Sequence, residues 1–146
     1  MSNYAPAFLI RPATERDSDF LLEHDRHITP TVWARVIDEG RALVLEEEQE
    51  LRGWLRWSLF WDEIPFLNML FLLEGHRGRT LGSKLLDEWE SSMSAAGHTQ
   101  VLTSTAADER AQRLYRRRDY LDSGVLLLPG EVAELLLAKS LTPGSP

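Results

Sequence analysis

At 146 residues the chain has the length of one domain, enough to bury roughly two thirds of its unfolded surface. Hydrophobic residues at 43% and charged residues at 27% are the balance of an ordinary globular protein rather than a disordered or membrane one, and the absence of cysteine excludes disulfides, thiolate metal sites and a protein thiol nucleophile. A net charge of -7 disfavours binding to nucleic-acid phosphates and mildly favours cationic small partners.

Phe8 to Ile10 reads as a short strand. Thr14 with Asp17 forms a capping-box signal for a first helix, continued by Phe20, Leu21 and His24. Thr29 followed by Pro30 starts a second, with Val32, Trp33, Val36 and Ile37 as its inner stripe and Gly40 as its stop. Ala42 to Leu45 is apolar, Glu46 to Glu50 is a polar turn, and Leu51, Gly53, Leu55, Trp57 and Leu59 alternate with Arg52, Arg56 and Ser58, which predicts a hairpin with one wetter face. Ile64 to Leu73 is apolar on both parities, as in a central strand covered on both sides, and is too short to span a bilayer. Leu81, Leu85, Leu86, Trp89 and Met93 recur at helical spacing until Gly97. Val101 to Thr105 reads as a strand and Asp108 to Arg118 as a helix; two last strands, near Val125 to Leu128 and Val132 to Ala138, meet around Pro129 and Gly130. The expected organisation is one domain over 1–141 with a mobile tail over 142–146. Met1 to Ala7 lacks the regions of a signal peptide, so a cytoplasmic location without membrane attachment is expected.

Leu70 to Ser83 carries the chemistry. Its glycines let backbone approach a ligand, and the first amides of the following helix lack internal partners. With the helix dipole, Arg77 and Arg79, this makes a site for an anion such as a pyrophosphate; the alternative is a plain strand-to-helix turn with two exposed arginines.

Arg77, Gly78, Arg79, Thr80, Leu81 and Gly82 resemble the pyrophosphate loop of the GNAT superfamily of N-acetyltransferases, except that Thr80 stands where the central glycine is usual. Downstream, Ala111, Leu114 and Tyr115 fit that family's Asn-x-x-Ala-x-x-Leu-Tyr-x-x-x-Gly-Phe helix, with Asp108, Asp119 and Tyr120 in place of Asn, Gly and Phe. The resemblance implies an α/β (α+β) domain whose mixed, mostly antiparallel sheet of about six or seven strands is flanked by about four helices and splays at its two central strands. It implies acetyl-CoA as co-substrate and direct transfer of an acetyl group to a primary amine of a small molecule, peptide or protein. Leu70 and Leu72 would pair with pantetheine, Arg77 through Ser83 would hold the pyrophosphate, Asp108 would lie near the cofactor, and Tyr115 would give a proton or a hydrogen bond to the departing sulfur. An idle acyl-CoA-binding or sensing domain is the alternative.

Thr80 faces two possibilities: strain if its φ is positive, or an N-cap role suited to its hydroxyl; the cap is favoured. Trp57, Trp61, Glu63 and Asn68 are candidates for acceptor binding, each with an ordinary reading as core residue, hairpin turn or buried amide. Trp33 and Trp54 share the first of these ordinary readings. His24, His27, His76 and His98 have no metal-binding spacing, so no metal is expected, and no general base is assigned. Neither nucleic acid nor membrane is expected as a partner, and both monomer and homodimer stay open.

Overall fold

The computed structural model describes residues 8–75 and 80–142. Met1 to Ala7, residues 143–146 of the tail, and His76, Arg77, Gly78 and Arg79 of the loop lie outside the described residues. The strands β1 (Phe8–Pro12), β2 (Ala42–Glu47), β3 (Glu50–Phe60), β4 (Ile64–Leu72), β5 (Gln100–Ala106), β6 (Leu121–Leu126) and β7 (Glu134–Ser140) form a seven-stranded sheet in the order β1-β2-β3-β4-β5-β7-β6. The pairing is mixed, parallel between β4 and β5 and antiparallel in β1–β2, β2–β3, β5–β7 and β6–β7. The α-helices among the described residues are α1 (Ser18–His24), α2 (Pro30–Asp38), α3 (Leu81–Ala95) and α4 (Ala111–Arg117). None is long and apolar enough to cross a membrane. Two compact units emerge, one from the residues up to Trp57 with Met69–Glu88, the other from Ser58–Asn68 with Trp89 onward.

In the first unit, Asp17 accepts the Thr14 N–H at 2.8 Å and holds Arg11 through both guanidinium nitrogens at 2.8 and 2.9 Å, so the capping signal becomes a short 3-10 turn leading into α1. The Thr29 side chain accepts from Val32 N, and Pro30 opens α2 without losing a needed donor. Trp33 and Val36 of α2 pack with Leu21, Val44 and Trp54 in the core. Trp33 meets Trp54 edge-on at 5.4 Å, and Trp54 stacks on Phe71 at 5.6 Å. Offset and edge-on contacts of this kind add to the burial of the rings.

The β3 segment departs from the expected alternation. Gly53 through Trp57 are buried on both parities, because Arg56 is taken out of water by a 2.8 Å bond from its Nε to the buried Asp25 carboxylate. Breaking such a pair leaves an uncompensated buried charge, so the wetter face predicted from Arg56 does not exist. The polar turn is also shorter than predicted, since β2 runs on to Glu47 and only Glu48 and Gln49 take positive φ.

In the second unit β5 runs between the end of β4 and β7. The last two strands are shifted from their predicted positions, with β6 beginning at Leu121 and β7 at Glu134. The cause is local. Asp119 at φ 71° ends α4 with Tyr120 N bonded to Tyr115 O at 3.0 Å, so the chain turns straight into a strand. Gly124, at φ 157°, sits at a register shift that keeps the strand paired with β7.

Candidate active site

The loop predicted to hold an anion leaves β4 at Leu72 and enters α3 at Leu81. Leu73 N donates to Arg52 O at 2.8 Å, so by alternation Leu70 and Leu72 direct their backbone groups to the side of β4 away from β3. Gly53 permits this close strand approach: an added Cβ would lie 2.5 Å from a Leu72 side-chain carbon and 2.6 Å from Phe71 O. Thr80 has φ 65° directly before α3, so the strained reading and the cap position meet in one residue. Its carbonyl does accept Lys84 N at 3.0 Å, but the residue adopts the left-handed conformation that a β-branched side chain resists, which explains why glycine is usual there. Leu81 and Gly82 are buried and Ser83 is half-buried, and the first turn of α3 contains no acidic residue. A helix start free of carboxylates fits a pyrophosphate, whose charge its amides and dipole favour.

Tyr115 lies on α4 and is 5% exposed. Its polar neighbour is Thr103 on β5, whose Oγ1 donates to Leu67 O on β4 at 3.0 Å. That bond lies where β4 and β5 are in parallel register, at Phe66↔Leu102 and Leu67↔Thr103. Burial pushes the phenol up to about 12, with the Glu109 carboxylate adding to the rise and Thr103 opposing it. Tyr115 therefore stays neutral, with its proton in place, across the physiological range.

Tyr120 shows what became of the phenylalanine expected at its position. Its hydroxyl donates to Glu90 Oε2 at 2.9 Å, while Lys139 Nζ donates to Glu90 Oε1 at 2.6 Å, so the additional hydroxyl is satisfied in a buried network. Burial, and then Glu90, push the Tyr120 phenol far above its ordinary range. Sequence spacing missed Glu90 and Lys139, since each meets the network only through the fold.

The remaining candidates divide. Asp108 is exposed in the turn before α4, which starts at Ala111 with Arg110 at its cap, so the helix predicted from Asp108 begins later. Asn68 is exposed rather than buried and donates to Ser58 Oγ at 2.9 Å. Glu63 and Trp61 sit at the β3–β4 hairpin, Trp61 77% exposed with φ 55° beside Asp62 at φ 64°, closed by a bond from Glu63 N to Phe60 O. Trp57 is buried, its carbonyl accepting from Arg41 Nη1, and Trp33 and Trp54 belong to the core. The structure thus gathers Trp61, Glu63 and Asn68 in one unit and leaves Trp57 in the other. Among the described residues no group of His, Cys, Asp and Glu is arranged to hold a metal ion.

A model of the Acetyltransferase (GNAT) family matches residues 8–120. Among curated proteins none matches in sequence. Solved structures share the fold. A GNAT family acetyltransferase from Bacillus cereus ATCC 10987 superposes with a TM-score of 0.77 at 21% identity, covering 92% of this chain and 97% of that one. Ard1 from Thermoplasma volcanium gives 0.80 at 14% identity, with 92% and 97% covered. The ribosomal-protein-S18-alanine N-acetyltransferase from Escherichia coli gives 0.79 at 12% identity, with 95% and 97% covered. At these identities the structural likeness establishes the fold, and the match over residues 8–120 establishes the rest: the chain belongs to the GNAT family of acetyltransferases and is an acyltransferase that uses acetyl-CoA.

Proposed function

We propose that the chain transfers the acetyl group of acetyl-CoA directly to a primary amine of a small molecule, peptide or protein in the cytoplasm, with Tyr115 assisting departure of the sulfur. Bound acetyl-CoA supplies an acetyl group activated as a thioester. The residues that would hold it are Leu70 and Leu72 through their backbone, Arg77 to Ser83 around the pyrophosphate, and Asp108 nearby. Support comes from the carboxylate-free start of α3 and from the left-handed Thr80, a strained conformation of the kind retained at ligand sites.

The observation that carries the reading is Tyr115 itself, buried on α4 beside Thr103 with its phenol kept protonated by burial. A phenol near 12 is a much weaker acid than a thiol near about 8.5, so Tyr115 does not give up its proton to the sulfur. It donates a hydrogen bond where negative charge collects as the C–S bond breaks. The amine attacks unprotonated, a C–N bond forms, and the proton lost from nitrogen balances the thiol released. No cysteine in the chain takes part, which leaves direct transfer as the simplest route. Trp61, Glu63 and Asn68, with Trp57, are the candidates for acceptor contact.

The test is a panel of primary amines with acetyl-CoA and a thiol-reactive dye, for which the cysteine-free chain gives no background. At least one amine is expected to release thiol. Release no faster than spontaneous hydrolysis across the panel, with acetyl-CoA still bound, overturns the proposal.

A further inference from the structure

The two edges of the sheet are β1 and β6, and they are guarded very differently. On β1, Arg11 is held by Asp17 and Glu46, Pro12 removes a backbone donor, and Lys84 Nζ lies 5.1 Å from the ring of Phe8. Charges and proline are the ordinary means of keeping an edge from pairing with another chain. The β6 edge is guarded less: Asp122, paired with Arg116, and the register shift before Gly124 lie near its start, and Val125 to Leu128 beyond them are all apolar. All six of its residues are exposed, and the strip from its start onward presents Leu121 at 71%, Val125 at 52%, Leu126 at 43%, Leu127 at 81%, Leu128 at 54% and Val132 at 55% exposure. One side of β6 is paired with β7, which leaves the ladder of the other side open.

We infer that β6 is a self-association surface, and that its occupant is β6 of a second copy of this chain, paired antiparallel about a two-fold axis. Charge decides the occupant. A chain of net charge -7 incurs the least electrostatic cost for self-association where its surface is neutral, and residues 121–130 contain one charged side chain, Asp122, already paired with Arg116 at 2.8 Å. The ends of the strip are opposite in sign. Arg117 precedes it and Glu131 follows it, both exposed and without an ion pair among the described residues. Antiparallel self-pairing brings the Arg117 end of each copy to the Glu131 end of the other, so the same contact forms twice. Such an interface is isologous and closes at two copies, because each chain has one weakly guarded edge. Contiguous exposed apolar surface of this kind marks an interaction site in a stable protein.

Sedimentation and light scattering of the full chain test the inference. The wild type is expected at twice the 16.7 kDa of one chain. Leu127→Asp, at a side chain 81% exposed and therefore free of folding cost, is expected to raise the dissociation constant of the dimer more than about tenfold. Arg117→Glu alone is expected to weaken it and Arg117→Glu with Glu131→Arg to restore it, which a merely apolar contact with another partner does not require. A wild type that stays monomeric at its highest soluble concentration overturns the inference. So does a dimer indifferent to Leu127→Asp, an assembly that grows past two copies, or a charge exchange that fails to restore pairing.

Discussion

Tyr115 and Tyr120 bracket the end of α4, with rings 5.4 Å apart and nearly edge-on, yet they have opposite fates. Tyr115 has as its polar neighbour the neutral hydroxyl of Thr103, whose own hydrogen goes to Leu67 O. Tyr120 bonds to the buried carboxylate of Glu90, which also holds Lys139, and releasing it would strand charge in the core. Burial raises both phenols, so an elevated pKa by itself does not distinguish them. The partner does: a neutral, exchangeable partner leaves a group available for chemistry, and a charged one fixes it as structure.

The sharpest way to break this comparison is Tyr115→Phe. Loss of a hydrogen bond to developing charge, at about 1.5 to 3 kcal/mol, should slow thiol release roughly 10- to 150-fold with little change in acetyl-CoA affinity measured by calorimetry. Equal loss of affinity and rate would return Tyr115 to a structural role. Alkaline unfolding probes the same residue. Its folded pKa, about 12, exceeds the ordinary tyrosine value of about 10, so the stabilising contribution is complete below pH 10 and lost as pH rises through 12. The loss approaches roughly 3 kcal/mol, and Tyr115→Phe should blunt it in denaturant titrations run across that window.

Tyr120→Phe should do the reverse. With Glu90 deprived of one buried bond, thermal unfolding is expected to show about 1 to 3 kcal/mol of destabilisation while the rate of thiol release by the folded enzyme stays at the wild-type value. A variant as stable as wild type would show that the Glu90 network does not depend on this hydroxyl. The smallest effect belongs to the joint between the two tyrosines. Asp119 occupies φ 71°, so Asp119→Gly should relieve about 1 kcal/mol of left-handed strain and raise the melting temperature without altering turnover.

Local features were legible because their causes are local. The spacing of Leu81, Leu85, Leu86, Trp89 and Met93 predicted α3, whose end at Ala95 falls where Gly97 takes φ 97°. Placing Tyr115 on the buried face of α4 needed only helical periodicity. The loop after β4 was recognised from its glycine and arginine pattern. The conformation of Thr80 was not, since cap and left-handed turn are both open to a threonine before a helix. The start of α4 was misplaced for a similar reason: nothing local to Asp108 tells a helix start from the turn that precedes one, and α4 begins at Ala111.

What the sequence determined by itself, then, was the order and type of the elements and the two motifs, all set by contacts within a few residues. The tertiary structure decided everything that joins distant positions. Arg56 meets Asp25 across 31 residues, Tyr120 meets Glu90 across 30, and Lys139 meets Glu90 across 49. No periodicity encodes such meetings, because a strand pattern reports which side of the chain is apolar and not which partner will cover it. The same limit hid the exposure of Leu121 to Leu128: read along the chain they resemble core, and the position of β6 at the end of the sheet is what leaves them bare.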